Sequence, residues 1–403
     1  MSIYSVVVFA VVFSLSSGKL NAQDVVPTSA KASTQILSPE WTVKLAPYLN
    51  AELLGRVVGH GHETHAKPRT SLWFLDDDTV STTFVTANPE KVEPKLSSRS
   101  VSNSNLPLRL RGIFLDTKSG KIRDTQIWPT ESRFAGIVAA YDGNFVTQKG
   151  NEVTLFSSTF KEMQRLELPV VDDGEWESHT SPTGRSILFI ATNLKTRLPV
   201  RWIWIRSDDL SILRSWEEIQ SGWVEISDKL IAMTSCVWFY DCLPNIQVKG
   251  LATDWRTVAP SDRHHARETK FVNDDLIFFE DAISDNVRLV HANTGKVVFT
   301  QNVLGFATKH EVMGPAYSSA GGQRFIVPIF EIKGPVNALD IGGRSVLKRI
   351  FLFDAPFHGL SYVINLKPTV SGGEMQFALS PDGLDVAILD GESLQLFKLP
   401  ALH

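Results

Sequence analysis

The sequence predicts an all-β protein, a seven-bladed β-propeller closed by an N-terminal strand. Three observations predict it. A strand–turn–strand grammar recurs along the chain, seven third strands can be counted, and aromatic residues are plentiful, with 10 Trp and 23 Phe among 403 residues. Aromatic and β-branched residues suit a pleated, half-buried surface, and a fixed internal period marks a repeat architecture.

The clearest unit is the last, MQFALSPDGLDVAILDGESLQLFKLP, which runs from Met375 to Pro400. It reads as a strand, a tight turn at Ser380-Pro381-Asp382-Gly383, a strand, a turn at Asp390-Gly391 and a third strand. Pro presets φ at the second turn position, and Gly takes the left-handed position after it. WESHTSPTGRSILFI repeats this with Ser181-Pro182-Thr183-Gly184, and a looser copy turns at Ser319-Ala320-Gly321-Gly322. Degenerate copies turn at Asp142-Gly143, Ser227-Asp228-Lys229 and Asn273-Asp274-Asp275, and LWFLDDDTVSTTFVT is the first of the series.

A second hairpin lies within the units. Asp116-Thr117-Lys118-Ser119-Gly120-Lys121 and Asn293-Thr294-Gly295-Lys296 are short turns with Gly in the left-handed place. Each unit is therefore four strands over roughly 45 residues. Third strands fall near Ile113, Leu155, Ile203, Val248, Leu289, Phe351 and Leu396, which makes seven. The last unit ends at Pro400 without a fourth strand, so a strand from before Ser71, within Leu53 to Val58, is expected to complete it. Closure removes the exposed edge of an open array.

The Ser-Pro-Asp-Gly turn ahead of an alternating apolar strand, with Asp-Thr-Lys-Ser-Gly-Lys hairpins, resembles bacterial exported WD-repeat-like β-propellers. The resemblance runs from about Leu72 to Leu399. It implies the fold and leaves function open, since the units lack the paired Gly-His and Trp-Asp dipeptides of eukaryotic WD repeats.

Residues 3–15 form a nearly unbroken apolar run, followed by Leu20-Asn21-Ala22 before Gln23. That pattern predicts a signal peptide over 1–22, although no Lys or Arg precedes the run. A membrane-spanning helix needs roughly 20 apolar residues, so no stable span is expected after cleavage. An N-terminal extension at 23–52 and a propeller at 53–403 complete the expected organisation, in a secreted or periplasmic protein. Cys236 and Cys242, the two cysteines of the chain, fit a disulfide in that setting. It would contribute about 2.3 kcal/mol if unstrained; two buried thiols are the other reading.

A net charge of −4 and a pI near 6.2 carry no mark of a nucleic-acid surface, which is usually strongly basic. In a propeller, loops from second to third strands share one face with the connections between blades. The long segments (87–107, 192–200, 235–244, 259–268, 302–315 and 331–348) all fall there, which nominates that face as the ligand side. Its candidate residues are Arg263, His264, His265 and Arg267, then His310 and Glu311, then Asp173 and Glu175. They could supply acid–base or anion-binding groups, or be ordinary polar rim. Trp238 and Tyr240, between the cysteines, are candidate contacts for a partner. His60, His62 and His65 form a weak metal-site candidate without the spacing of a metalloprotease helix. Trp202, Trp204, Trp216 and Trp223 read as blade core.

No catalytic, phosphate-loop or dinucleotide motif is present, and no cofactor is expected. The expected function is a binding or scaffold module for a protein, peptide or carbohydrate, with no nucleic-acid role. The alternative is a hydrolase or lyase with its site in the central depression of the loop face.

Overall fold

The computed structural model describes residues 32–49, 71–87, 108–132, 135–196, 198–218, 222–236, 242–258, 266–281, 286–302, 311–332, 345–367, 375–390 and 393–402. These residues build seven sheets that follow one another along the chain, a seven-bladed propeller. Blades 1 to 5 (71–130, 136–167, 174–216, 223–258 and 266–302) each hold four consecutive antiparallel strands. The first strands of successive blades touch around the axis, with blade 7 meeting blade 1. All seven expected third strands lie within strands of the structure.

The strands read as they do because blades stack on both sides. The second strand of blade 3, Ser186–Asn193, carries the continuous run ILFIA and is buried over its first six residues. Its neighbour Pro199–Arg206 splits its two faces. Ile203 and Ile205 pack toward blade 2, while Trp202 and Trp204 pack toward blade 4. Period-2 alternation thus feeds two different cores from one strand. Outermost strands face water: Glu162–Glu167 in blade 2 is exposed at all but one position. Trp223, expected in the core, is instead 66 % exposed at the start of the first strand of blade 4, because Val224 and Ile226 take the buried alternation there.

Blades 6 and 7 are completed by the N-terminal segment. Ser33–Leu37 adds to the outer edge of Tyr362–Leu366 in blade 6, parallel. Trp41–Lys44 pairs antiparallel with Ser393–Lys398 and is the fourth strand of blade 7. The closing strand therefore lies upstream of the expected 53–58, a segment outside the described residues, and the sheets take in residues ahead of the boundary expected at 53. The reason is the alternation Trp41-Thr42-Val43-Lys44, which puts Trp41 and Val43 into the seam between blades 7 and 1.

Candidate functional site

The first strands enclose an axial cavity of about 890 Å³, lined from mid-channel to the turns that join first to second strands. Those turns form a ring of polar contacts with a link at every seam. Gly143 N donates to Leu75 O at 2.8 Å, joining blades 2 and 1. Arg185 meets Asp142 at 3.2 Å, joining 3 and 2. Thr183 Oγ1 donates to Asp228 Oδ2 at 2.7 Å, and Asp228 N to Asp274 Oδ1 at 2.9 Å. Asn273 Nδ2 reaches Gly322 O at 3.5 Å, Gly321 N reaches Pro381 O at 3.3 Å, and Asp382 N reaches Asp77 Oδ1 at 3.2 Å. Polar turn residues are thus used to hold blade to blade.

Inside the channel the same economy continues. Trp73 Nε1 donates to Ile137 O at 3.0 Å, Thr180 Oγ1 donates to Val138 O, and Ser318 Oγ donates to Phe271 O at 3.3 Å. Each ties a first strand to the backbone of a neighbouring blade. Two charges stand apart from this pattern. Lys270, on the first strand of blade 5, donates through Nζ to Glu225 Oε1 on the first strand of blade 4. Both are partly shielded, their side chains 33 % and 19 % exposed respectively. Near the mouth, burial raises the Tyr141 phenol above its ordinary value, with Asp208 and Asp142 adding to the effect. It stays protonated at neutral pH. Burial likewise raises Asp77, against the opposing effect of the Asp382 amide.

Neither Glu225 nor Lys270 is among the candidates that the sequence offers. The usable signal was a charged residue at the alternation opposite the core side chains of a first strand. Val224 and Ile226 flank Glu225, and Phe271 comes directly after Lys270, all three buried as that pattern requires.

Of the sequence candidates, three can be placed fully. Asp173 is exposed and paired with Lys195. Glu175 is half-buried on the first strand of blade 3. Glu311 opens the first strand of blade 6, but its carboxylate is only 2 % exposed and accepts from Arg349 Nη2 at 2.6 Å. Its side chain is buried against Arg349. Arg267 lies on the first strand of blade 5. Cys236 stands opposite Cys242 in the ladder between the second and third strands of blade 4. Arg263, His264, His265, His310, Trp238, Tyr240, His60, His62 and His65 lie outside the described residues. Among the described residues no group of three His, Cys, Asp or Glu side chains is arranged to hold a metal, and no helix is long and apolar enough to cross a membrane.

A second cavity, of about 1020 Å³, lies between blades 1 and 2 at the opposite end of the ring. Lys149 and Glu152 in its lining pair at 2.6 Å, and Arg165, outside the lining, reaches Glu152 at 2.9 Å.

No protein-family model matches the chain, and no curated protein matches it. Solved structures do. The WD40 domain of Pan2 from Neurospora crassa superposes with a TM-score of 0.51 at 8 % identity, over 93 % of this chain and 99 % of that one. The WD40 propeller of Doa1 gives 0.46 at 10 % identity, over 90 % and 97 %. Virginiamycin B lyase from Staphylococcus aureus, solved with quinupristin, gives 0.48 at 14 %, over 83 % and 96 %. At such identities the likeness is one of fold.

Proposed function

We propose that this chain is an exported binding module, a rigid ring that offers one face to a protein, peptide or carbohydrate ligand. The observation that carries the reading is the placement of its connections. The segments from Ala87 to Leu108, Val258 to Ala266, Asn302 to Glu311 and Ile332 to Ser345 all join strands at the end of the ring where first strands begin. At the other end, turns are short and spent on blade-to-blade contacts. Loops held by a rigid scaffold are where binding residues concentrate, and WD40 propellers commonly bind proteins or peptides.

Export is supported by the apolar segment at 3–15 ahead of Ala22 and by the cysteine register. Directly opposed residues of an antiparallel pair have Cα atoms about 4.5–5.5 Å apart, within the span that a disulfide bridges. Mass spectrometry of denatured, unreduced protein should find no alkylatable thiol; two free thiols in the exported protein would overturn the bridge.

The face itself is tested by replacing 88–107 and 333–344 with short Gly-Ser linkers. A thermal-shift screen of the mature chain against peptides and oligosaccharides comes first, since ligand at 100 times its dissociation constant stabilises by about 2.7 kcal/mol. Loss of that shift in the shortened variants, with the unliganded transition kept, is the expected result. An undiminished shift would remove the loop face from the function.

A further inference from the structure

The axial channel opens at the end of the ring opposite those loops, so a ligand held there would not depend on the loop face. We infer that the channel is a binding site for a free α-amino acid, whose carboxylate meets Lys270 and whose ammonium meets Glu225. The cavity, about 890 Å³, falls in the range of small-molecule sites, roughly 300–1,000 Å³. Its wall mixes apolar and polar surface, and several of its polar groups are already satisfied. Trp73, Thr180 and Ser318 have given their donors to neighbouring backbone, and Phe271, Leu379 and Pro381 also line the space.

Glu225 and Lys270 are different in kind. Their hydrogen bond to one another uses one ammonium proton and one carboxylate oxygen. An ammonium has three donors and a carboxylate about four acceptor sites, so both groups keep capacity for a ligand. The charge logic then selects its class. An anion drawn to Lys270 would compete with Glu225 and leave that carboxylate unpaired in a recess. A cation drawn to Glu225 would do the same to Lys270. Breaking a shielded pair one-sidedly is costly. A ligand that brings both charges side by side leaves neither protein charge alone, and an α-amino acid carries its two charges on one carbon. The apolar part of the channel wall, to which Trp73 and Leu379 contribute, favours a ligand with an apolar side chain.

Isothermal titration calorimetry of the full chain tests this with L-phenylalanine and L-leucine. The single-charge analogues phenethylamine and hydrocinnamate, isopentylamine and isocaproate serve as comparisons. Saturable heat is expected from the amino acids, with the analogues weaker by about tenfold or more. Glu225→Gln and Lys270→Met should each weaken binding by a similar factor. The double variant E225Q/K270M removes both charges together, keeps the fold free of an orphaned charge, and should bind neither amino acid while its melting transition persists. Three results would overturn the inference. They are no saturable heat from either amino acid, equal affinity for a single-charge analogue, or undiminished binding by the folded double variant.

Discussion

The indole Nε1 of Trp41 donates to the carbonyl oxygen of Thr117 at 2.6 Å, across 76 residues of chain. The same ring lies against Gly120, where an added Cβ would stand 2.7 Å from Cδ2. Trp41 belongs to the fourth strand of blade 7, and Thr117 and Gly120 to a turn of blade 1. The contact therefore crosses the seam where the ring starts and ends. Val43 and Leu45 extend it into a cluster with Leu72 and Phe74 of blade 1 and Leu394 and Leu396 of blade 7. A closed ring leaves fewer unpaired edge groups than an open array of the same blades.

Stability should accordingly be lost in a step as the N-terminus is shortened. A protein beginning at residue 32 is expected to keep its denaturation midpoint. One beginning at residue 38 loses the exposed parallel strand Ser33–Leu37 and falls slightly. One beginning at residue 45 loses the closing strand and falls most. Trp41→Ala should cost about 2–3 kcal/mol, less than the roughly 3–5 of a fully buried Trp because its ring is half-exposed. Urea denaturation of the series measures this, and equal midpoints for proteins beginning at 38 and 45 would contradict the closure.

Arg324 and Asp354 give a second expectation. Arg324 is fully buried, and its side chain donates to Asp354 from Nε at 2.5 Å and from Nη2 at 3.0 Å. Nη1 continues to Gly383 O at 2.8 Å and Pro400 O at 2.7 Å, in and beyond blade 7. Arg324→Met should cost about 3–5 kcal/mol because it strands a buried carboxylate. Adding Asp354→Leu should recover part of that loss, since neither charge is then left alone. A double variant no more stable than Arg324→Met would show that the stranded carboxylate is not what the single variant loses, and would leave the missing bonds to Gly383 and Pro400 as the cause.

What could be read from the sequence divides along physical lines. The turns were legible because Pro at Pro182 and Pro381 and Gly at Gly184 and Gly383 are demanded by local backbone geometry. The structure has both glycines at positive φ, +74° each. Third strands such as Pro199–Arg206 were legible because apolar side chains on both faces leave a dense local signal. The closing strand was not, because Trp41–Lys44 has four residues, and only its distant partner Ser393–Lys398 makes it a strand. Glu225 and Lys270 were invisible for the same reason. They lie 45 residues apart and meet only because consecutive blades bring their first strands side by side. Trp223 was misread because aromatic character alone does not say which face of a strand is covered.

Glycine at the blade 2–3 seam makes a sharper claim about the turns. An added Cβ at Gly184 would lie 2.0 Å from the carbonyl oxygen of Ala140, with φ at +74°. Gly184→Ala should therefore cost more than about 2 kcal/mol, combining left-handed strain with a backbone clash that no side-chain rotation relieves. Gly321→Ala is the control, since its nearest neighbour is Pro381 O at 3.4 Å and its φ is not positive. A change within about 0.5 kcal/mol is expected there. Thermal denaturation of the two variants measures both. Equal losses at the two positions would show that the ring of turns tolerates a shift at the blade 2–3 seam.

Asp390 links the fold to pH. Burial alone raises its carboxyl above the ordinary aspartate value, since leaving water disfavours the charged form. Below that ordinary value both folded and unfolded chains carry the proton, and the residue has no effect on stability. As pH rises through it, the unfolded chain ionises first and stability falls, until the folded carboxyl also ionises and the loss levels off. Asp390→Ser removes the titration, so the variant should gain stability over the parent at neutral pH and lose that gain at about pH 3. Denaturation midpoints of both proteins at the two pH values measure the difference directly. A gain that persists unchanged in acid would mean that the substitution acts through packing at the end of Asp385–Asp390, and that the charge of Asp390 is not what burial penalises there.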